Sequence, residues 1–270
     1  MKKDALIKLS VLGVLVLIAY IPAFQWMLNR WGAKDTYYSH GYLVPFISAF
    51  IVWLKRKELA KLSIKPEISG WILFVLGLLI HAIGTRFRVS FASGFSLVIV
   101  LVGMVLLLLG KDWLKKLSFP ISFLLFMIPL PSVLIASMSF KLKIFAAQAS
   151  TVILRSIGIP AMREGSLIRT LHARLMVEDP CSGIRSLIAL IALGALAAYF
   201  SDMSRIKKTL LFLSSIPIAV GTNIIRIVSL AAVSEIYGEK YATGIFHDTM
   251  GILVFIFAFL GLMLVQKLLE

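Results

Sequence analysis

Long apolar segments separated by short polar loops make up most of the chain. Several of them approach or exceed the ~18–20 apolar residues that an α-helix needs to cross a bilayer. Eight segments are therefore predicted as transmembrane helices: residues 5–27, 41–54, 70–84, 91–109, 119–137, 182–200, 209–234 and 247–266. The second and third are short for a full crossing. The pattern predicts an all-α polytopic membrane protein.

The composition agrees with this class. Apolar residues occupy 60% of the 270 positions and charged residues 15%, whereas an ordinary soluble domain is about one-quarter charged. The net charge of +15 does not indicate nucleic-acid binding, because the basic residues lie in short loops between apolar segments. The chain starts like a signal peptide but lacks a small-residue cleavage site, so we expect an uncleaved first span. The single cysteine excludes an intramolecular disulfide.

The lysines and arginines are distributed unequally between the two sides of the predicted bundle. Five lie on one side, and fifteen lie on the other, within residues 2–8, 55–65, 111–116, 205–208 and 267. Because Lys and Arg are enriched in cytoplasmic loops, both termini are predicted to be cytoplasmic. Residues 1–270 are predicted to form one domain, with 138–180 as an extracytoplasmic segment within it.

This extracytoplasmic segment has two parts. Residues 139–158 carry apolar positions at helical spacing, which is compatible with an interfacial helix, a re-entrant ninth element or a partly buried helix. Residues 163–180 alternate irregularly and contain a turn signal at Glu164–Gly165. They predict a small β-hairpin or loop.

The only cysteine of the chain stands at the start of the sixth predicted span. Asp179 is a good helix N-cap and Pro180 is favoured at the first helical position, so Cys181 is predicted in the first turn. The helix dipole there stabilises a thiolate, and Arg185, one turn further along, would lower the pKa of the thiol further. The alternative is that Cys181 is a small packing residue, as most lone cysteines in apolar proteins are.

Two further polar positions lie in the last two predicted spans. Arg226 lies well inside the seventh, where an arginine costs at least ~2.5–3.5 kcal/mol and usually faces the bundle interior. Asn223, three residues earlier on the same helix face, can hold the guanidinium or a substrate amide. Arg226 could instead snorkel to the surface. His247 opens the eighth span, and alone it indicates little.

Together these residues suit thiol chemistry. Cys181, Arg226 and His247 come from three consecutive spans and are predicted to share the outer leaflet. A thiolate attacks a carbonyl, a histidine transfers the proton, and an arginine stabilises the oxyanion or holds a carboxylate. No metal-ligand spacing, phosphate-binding loop or serine-nucleophile motif is present, so no metal and no cofactor are predicted.

The sequences "CSGIRSL" (181–187) and "TNIIRI" (222–227), followed by a histidine that opens the last span, resemble the exosortase/archaeosortase family. The segment "YSHGYLVPFISAFIVW" (38–53) also resembles an early motif of that family. The resemblance implies a multi-pass membrane cysteine peptidase or transpeptidase with Cys181 as nucleophile, together with Arg226 and His247. His247, rather than an arginine at that position, favours a bacterial exosortase of the inner membrane. His40, in the early motif, is expected either to contact substrate or to pack between helices.

Membership would also imply the substrates. Exosortases process exported, membrane-anchored proteins that end in a Pro-Glu-Pro motif, a transmembrane helix and a basic tail, and transfer them to an acceptor that the sequence does not identify. Two other functions stay open. One is a transporter or channel in which Arg226 binds an anion. The other is a lipid-linked acyl or glycan transferase in which His247 acts as base and Cys181 takes no part in the reaction.

Overall fold

A computed structural model of the chain describes residues 2–33, 36–177, 183–238 and 245–270. The chain divides into two compact units, residues 1–131 and 132–270. Each unit has its own core, and the two are described separately below.

The first unit begins with two helices that bend sharply at one residue. Helix α1 covers Lys2–Ala19 and α2 covers Ile21–Trp31, and their axes meet at 61° around Tyr20. Pro22 lies in the first turn of α2, where a missing N–H does no harm. At the bend, the buried Tyr20 hydroxyl hydrogen-bonds the Ser96 hydroxyl at 2.7 Å, which ties it to a later helix.

The remaining elements of the first unit are helical. They are a 3₁₀ turn Ser39–Tyr42, then α3 Leu43–Leu54, α4 Arg56–Lys61, α5 Ser69–Arg86, α6 Ser90–Leu108, α7 Lys111–Phe123 and a second 3₁₀ turn Leu124–Met127. Helices α5 and α6 pack backbone to backbone through glycines. A Cβ atom added at Gly103 would overlap the backbone nitrogen of Phe74, and one added at Gly77 would come within 2.6 Å of a Val100 methyl.

The predicted fifth span, 119–137, is not one continuous helix. Helix α7 ends at Phe123, and α8 begins only at Ser132 and runs to Ser156. Pro129 and Pro131 lie in the break, and a proline removes a helical hydrogen bond and disfavours helical geometry in the residue before it. An apolar run that looks continuous in hydropathy is therefore two helices.

Among its described residues, the second unit contains four helices and a small sheet. The other helices are α9 Ile184–Phe200, α10 Arg205–Tyr237 and α11 Ile245–Leu269. Three antiparallel strands, β1 Met162–Glu164, β2 Leu167–Arg169 and β3 Arg174–Met176, pair in the order β1-β2-β3. Strands β1 and β2 form a hairpin through the predicted turn at Glu164–Gly165, and β3 adds a strand that the sequence did not predict.

Helix α8 runs parallel to α10. Its later residues Ala147 and Leu154 share a core cluster with Ile227 and Ala231 near the end of α10, and the fully buried Ile168 of β2 closes that cluster. The earlier residues of α8 lie towards the opposite end of the unit. Residues 138–156 are thus part of a helix that traverses the unit, which fits a partly buried helix better than the interfacial alternative.

By length and composition, five helices in the described part of the chain can each cross a membrane. They are α5, α6, α8, α10 and α11, and the bent pair α1–α2 makes six if it forms one span. Helices α3 and α9 are apolar but shorter. The chain is an all-α multi-pass membrane protein, and the count of eight spans stays a prediction.

The glycine packing of α5 on α6 predicts a stability effect. Gly103→Val should lower the thermal midpoint of unfolding in detergent by several degrees, because overpacking against backbone atoms costs ~1–3 kcal/mol. Gly13→Val is the matched control, since no described atom lies within 4 Å of a Cβ at Gly13. Equal midpoints for the two variants would contradict the packing.

Candidate functional site

Helix α10 carries two polar side chains in one turn of an apolar helix. Asn223 is only 2% exposed, and Arg226 is half-buried with its Nε atom fully buried. Arg226 lies 11 residues before the end of α10, which is about 16 Å along the helix axis. At this depth the guanidinium is within the second unit rather than at its surface, as expected for an arginine in a membrane bundle.

The N-terminus of α9 lies directly on Asn223. A Cβ atom added at Gly183 would come within 2.8 Å of both Cγ and Nδ2 of Asn223, and Gly183 has a left-handed φ of +80°. Both the space and the backbone conformation therefore require glycine here. The Gly183 carbonyl accepts hydrogen bonds from the Leu187 N–H and the Ser186 hydroxyl, each at 2.9 Å.

This geometry corrects the predicted start of the helix. Gly183 is the N-cap and Ile184 is the first helical residue of α9. Asp179, Pro180 and Cys181 themselves lie outside the described residues. The capping signal of Asp179–Pro180 is local, whereas the left-handed φ of Gly183 lies outside helical geometry and leaves Ile184 as the first helical residue.

Helix α11 lies against Arg226, the second polar side chain in this turn of α10. A Cβ atom at Gly251 would lie 3.6 Å from Nη2 and 3.9 Å from Cζ of Arg226, in ordinary van der Waals contact. Gly251 therefore brings the α11 backbone next to the guanidinium. Position 247 is one helical turn earlier on the same face of α11. The side chain of His247 is outside what the structure describes.

The same close packing continues along α10. A Cβ at Gly194 of α9 would lie 2.9 Å from the Ser215 Cβ, and one at Gly261 of α11 would lie 3.3 Å from a methyl of Ile218. Small residues allow helix backbones in a membrane to approach closely. Helices α9, α10 and α11 are therefore neighbours, as their short connections predict.

The structure brings some of the predicted site residues together and not others. Asn223 and Arg226 lie between the N-terminal ends of α9 and α11. Arg185 is exposed in the first turn of α9. His40 belongs to the first unit.

His40 packs inside its own unit. It lies in the 3₁₀ turn before α3, its ring centroid is 5.9 Å from that of Tyr38, and its Nε2 atom is buried with no hydrogen-bond partner among the described residues. Burial lowers the pKa of His40, and a hydrogen bond with the Phe126 backbone partly offsets this. The half-buried ring, packed beside Tyr38, fits the helix-packing interpretation better than an exposed substrate contact.

Residues near His40 form hydrogen bonds with the backbone of the non-helical segment that follows α7. The Trp31 indole N–H donates to the Met127 carbonyl at 2.8 Å, and the Tyr38 hydroxyl accepts the Leu130 N–H at 3.0 Å. Gly41 is also required, because a Cβ there would lie 2.6 Å from Cε2 of the Trp31 ring. The early motif thus holds the 3₁₀ turn and the proline break in place.

An acid near the end of α10, which the sequence analysis missed, ties the sheet to the helix bundle. Glu235 accepts the His172 backbone N–H at 3.0 Å and pairs with His172 Nδ1 at 2.8 Å. Glu235 is the only acidic residue in α10. An isolated acid in an apolar helix was the sequence signal that could have identified it. No group of three or more His, Cys, Asp and Glu side chains that could hold a metal ion occurs among the described residues.

Comparison with known proteins identifies the family. Residues 26–264 match the family model described as "Transmembrane exosortase (Exosortase_EpsH)". The chain belongs to the transmembrane exosortase family. This membership confirms the resemblance seen in the motifs and indicates a membrane-bound peptidase or transpeptidase that sorts membrane-bound proteins. No curated protein and no solved structure matches the chain.

The fit of Gly183 on Asn223 predicts a position-specific loss of stability. Gly183→Ala and Gly158→Ala both place alanine at a left-handed residue, with φ of +80° and +87°, which costs ~1–2 kcal/mol in each case. A Cβ at Gly158 has no described atom within 4 Å, whereas the one at Gly183 collides with Asn223. Gly183→Ala should therefore lower the thermal midpoint further than Gly158→Ala, and a smaller decrease would refute the contact.

Proposed function

We propose that this exosortase is a membrane-embedded thiol peptidase or transpeptidase. It cleaves the C-terminal Pro-Glu-Pro-type sorting signal of exported proteins through a Cys181 thioester and passes the product to an acceptor. One observation carries the proposal. The Asn223–Arg226 turn of α10 lies against Gly183, two residues after Cys181 in the sequence, and against Gly251, one turn after His247.

The short connection to Gly183 supports the role of Cys181. Two residues of fully extended chain span about 7 Å at most, so the nucleophile needs no long loop to reach the Asn223–Arg226 turn. A nearby guanidinium lowers the pKa of a thiol and so raises the thiolate fraction. The buried Nε of Arg226 indicates a guanidinium that water screens only in part.

The proposed chemistry follows from these groups. The Cys181 thiolate attacks the scissile carbonyl carbon, a C–S bond forms, and the negative charge moves to the carbonyl oxygen, where Arg226 donates hydrogen bonds. His247 protonates the leaving amine as the C–N bond breaks. The acceptor nucleophile, losing its proton to His247, then attacks the thioester and releases the thiolate. The Asn223 amide orients the guanidinium or a substrate amide.

The membrane topology supports a site on the extracytoplasmic side. We propose eight crossings with both termini in the cytoplasm of a bacterial cell. This keeps the basic loops on the cytoplasmic side. It also places the sheet and the Arg226 end of α10 outside, where a substrate helix would present its scissile bond.

Removal of the thiol distinguishes this function from the alternatives. Cys181→Ala should abolish processing of a co-expressed reporter that carries the sorting signal, because no thioester can form. Mass spectrometry of the reporter's C-terminus measures the outcome, and also separates hydrolysis from transfer by the mass of the new end group. Continued processing by Cys181→Ala would contradict the thiol mechanism. A transporter with Arg226 as its anion site would instead keep anion binding in the Cys181→Ala variant.

Arg226 should not be replaceable by lysine. Arg226→Lys keeps the positive charge but loses the planar fork that donates two parallel hydrogen bonds, so processing should fall by at least ~10²-fold, as for loss of an oxyanion donor. Arg205→Lys is the matched control, since Arg205 is exposed at the other end of α10. Equal processing by the two variants would show that Arg226 only balances charge.

A further inference from the structure

Strand β3 lies at one edge of the sheet, and its main-chain groups alternate between the two sides of the strand. On one side of β3 in the sequence, the Ala173 carbonyl accepts the Thr170 N–H at 2.9 Å. On the other, the Val177 N–H donates to the Ser166 carbonyl at 3.0 Å. In an antiparallel ladder every second residue exchanges such bonds, and the residue between them directs its N–H and C=O to the opposite side. Met176 therefore directs both groups away from β2.

These outward groups form the free edge of β3. Met176 is 53% exposed, and among the described residues none hydrogen-bonds its outward N–H or C=O. A strand edge of this kind is a template on which another extended chain can pair. The position of the edge relative to the candidate site decides what that chain is.

Strand β3 runs along α10 towards the candidate site. His172, which precedes β3, is held at Glu235 by contacts of 3.0 and 2.8 Å. Val177, which follows β3, packs in the core cluster that contains Ile227. Because Ile227 lies eight residues before Glu235 in α10, about 12 Å along the helix axis, β3 is antiparallel to α10. The strand therefore ends close to the Asn223–Arg226 turn.

The free edge of β3 is on the side of α10 that carries Arg226. Strands β1 and β2 contact α8, whereas β3 contacts α10, so the order of the strands leads from α8 across to α10. Ile227 faces α8, since it shares a core cluster with Ala147 and Leu154. Arg226 faces α11, next to Gly251. A strand added to β3 would therefore lie on the Arg226 side of α10.

The ligand that fits a strand edge is an extended polypeptide. Its main chain offers N–H and C=O groups at the spacing of a strand, and proteins that recognise peptides in this way gain affinity from main-chain hydrogen bonds. A peptidase substrate must also present its scissile bond in an accessible, extended segment. The direction of β3 places such a segment beside the groups that the proposed chemistry uses.

We propose that an extended segment of the protein substrate pairs with the free edge of β3 as a fourth strand, through main-chain hydrogen bonds to Met176. The pairing guides the scissile carbonyl to the Asn223–Arg226 turn. The proposal rests on the proposed function, because only a polypeptide substrate calls for such a strand. The sheet is then the substrate-positioning element of the second unit.

Cross-linking tests the pairing without any need for cleavage. The full chain carrying Cys181→Ala and Met176→Cys has one thiol, because Cys181 is the only cysteine, and it cannot form the proposed thioester. It is co-expressed with reporters that carry one cysteine at consecutive positions before their transmembrane helix. The yield with a short thiol cross-linker should alternate along the reporter, since successive side chains of a strand point to opposite faces. Arg163→Cys, at an exposed position on β1, is the matched control and should show no alternation.

A proline at the same position tests the effect on processing. Met176→Pro removes the outward N–H but leaves the bonds between β2 and β3 in place. In detergent, kcat/KM of the purified chain for the reporter should fall about tenfold, as for one lost hydrogen bond, through KM rather than kcat. Arg163→Pro makes the same change at the other edge, since Arg163 pairs with Ile168, whose main-chain groups point to β3. Arg163→Pro and Met176→Ala, which keeps the N–H, should both process as the wild type does.

Three results would overturn the proposal. They are cross-links from position 176 without alternation, equal kcat/KM for Met176→Pro and Arg163→Pro, and conversion of a wild-type dimer to a monomer by Met176→Pro. The last result would assign the edge to a second copy of this chain. If Met176→Pro does not fold, as judged by its thermal midpoint, the cross-linking pattern decides alone. Absent cross-links contradict the pairing only, whereas continued processing by Cys181→Ala contradicts the thiol mechanism only.

Discussion

The candidate site depends on how closely α10 is held between two other helices. Arg226 would cost ~2.5–3.5 kcal/mol in a lipid-facing helix, so it needs a protein environment. Gly183 and Gly251 provide this environment, because the absence of a side chain at each lets a backbone lie against Asn223 or Arg226. A Cβ atom at Gly183 would collide with Asn223, whereas one at Gly251 would lie in ordinary contact with Arg226. Gly183 is therefore as necessary to the site as its polar residues.

The sequence predicted the apolar helices, the adjacency of the last three and the two polar residues of α10, because each depends on composition and spacing. It did not predict the end of α7 or the start of α9. Pro129 and Pro131 end a helix within an apolar run, and a hydropathy profile does not detect such a break. The capping signal at Asp179 is local and gives no information on the packing of Gly183 against Asn223. Both errors arise where a backbone constraint or a distant contact overrides a local pattern. The role of Glu235 was missed for the same reason, since its partner His172 is 63 residues away.

The proline break divides the predicted fifth span between the two units. Helix α7 and the 3₁₀ turn after it follow α3, because the Pro120 carbonyl accepts from the Ser48 hydroxyl and the Leu130 N–H donates to the Tyr38 hydroxyl. In the second unit α8 follows α10, and the sheet lies at the end where α10 finishes. Because Glu235 joins this sheet to α10, the sheet is a fixed part of the second unit rather than a loose loop above it.

The start of α9 also decides which charge can activate the thiol. The field of a helix N-terminus falls off within the first turn, and the first turn of α9 begins at Ile184. Arg185 is exposed, so water and salt screen its charge. The guanidinium with a buried Nε beside the N-terminal ends of α9 and α11 is that of Arg226. We therefore propose Arg226 as the group that stabilises a Cys181 thiolate, in addition to its proposed role at the oxyanion.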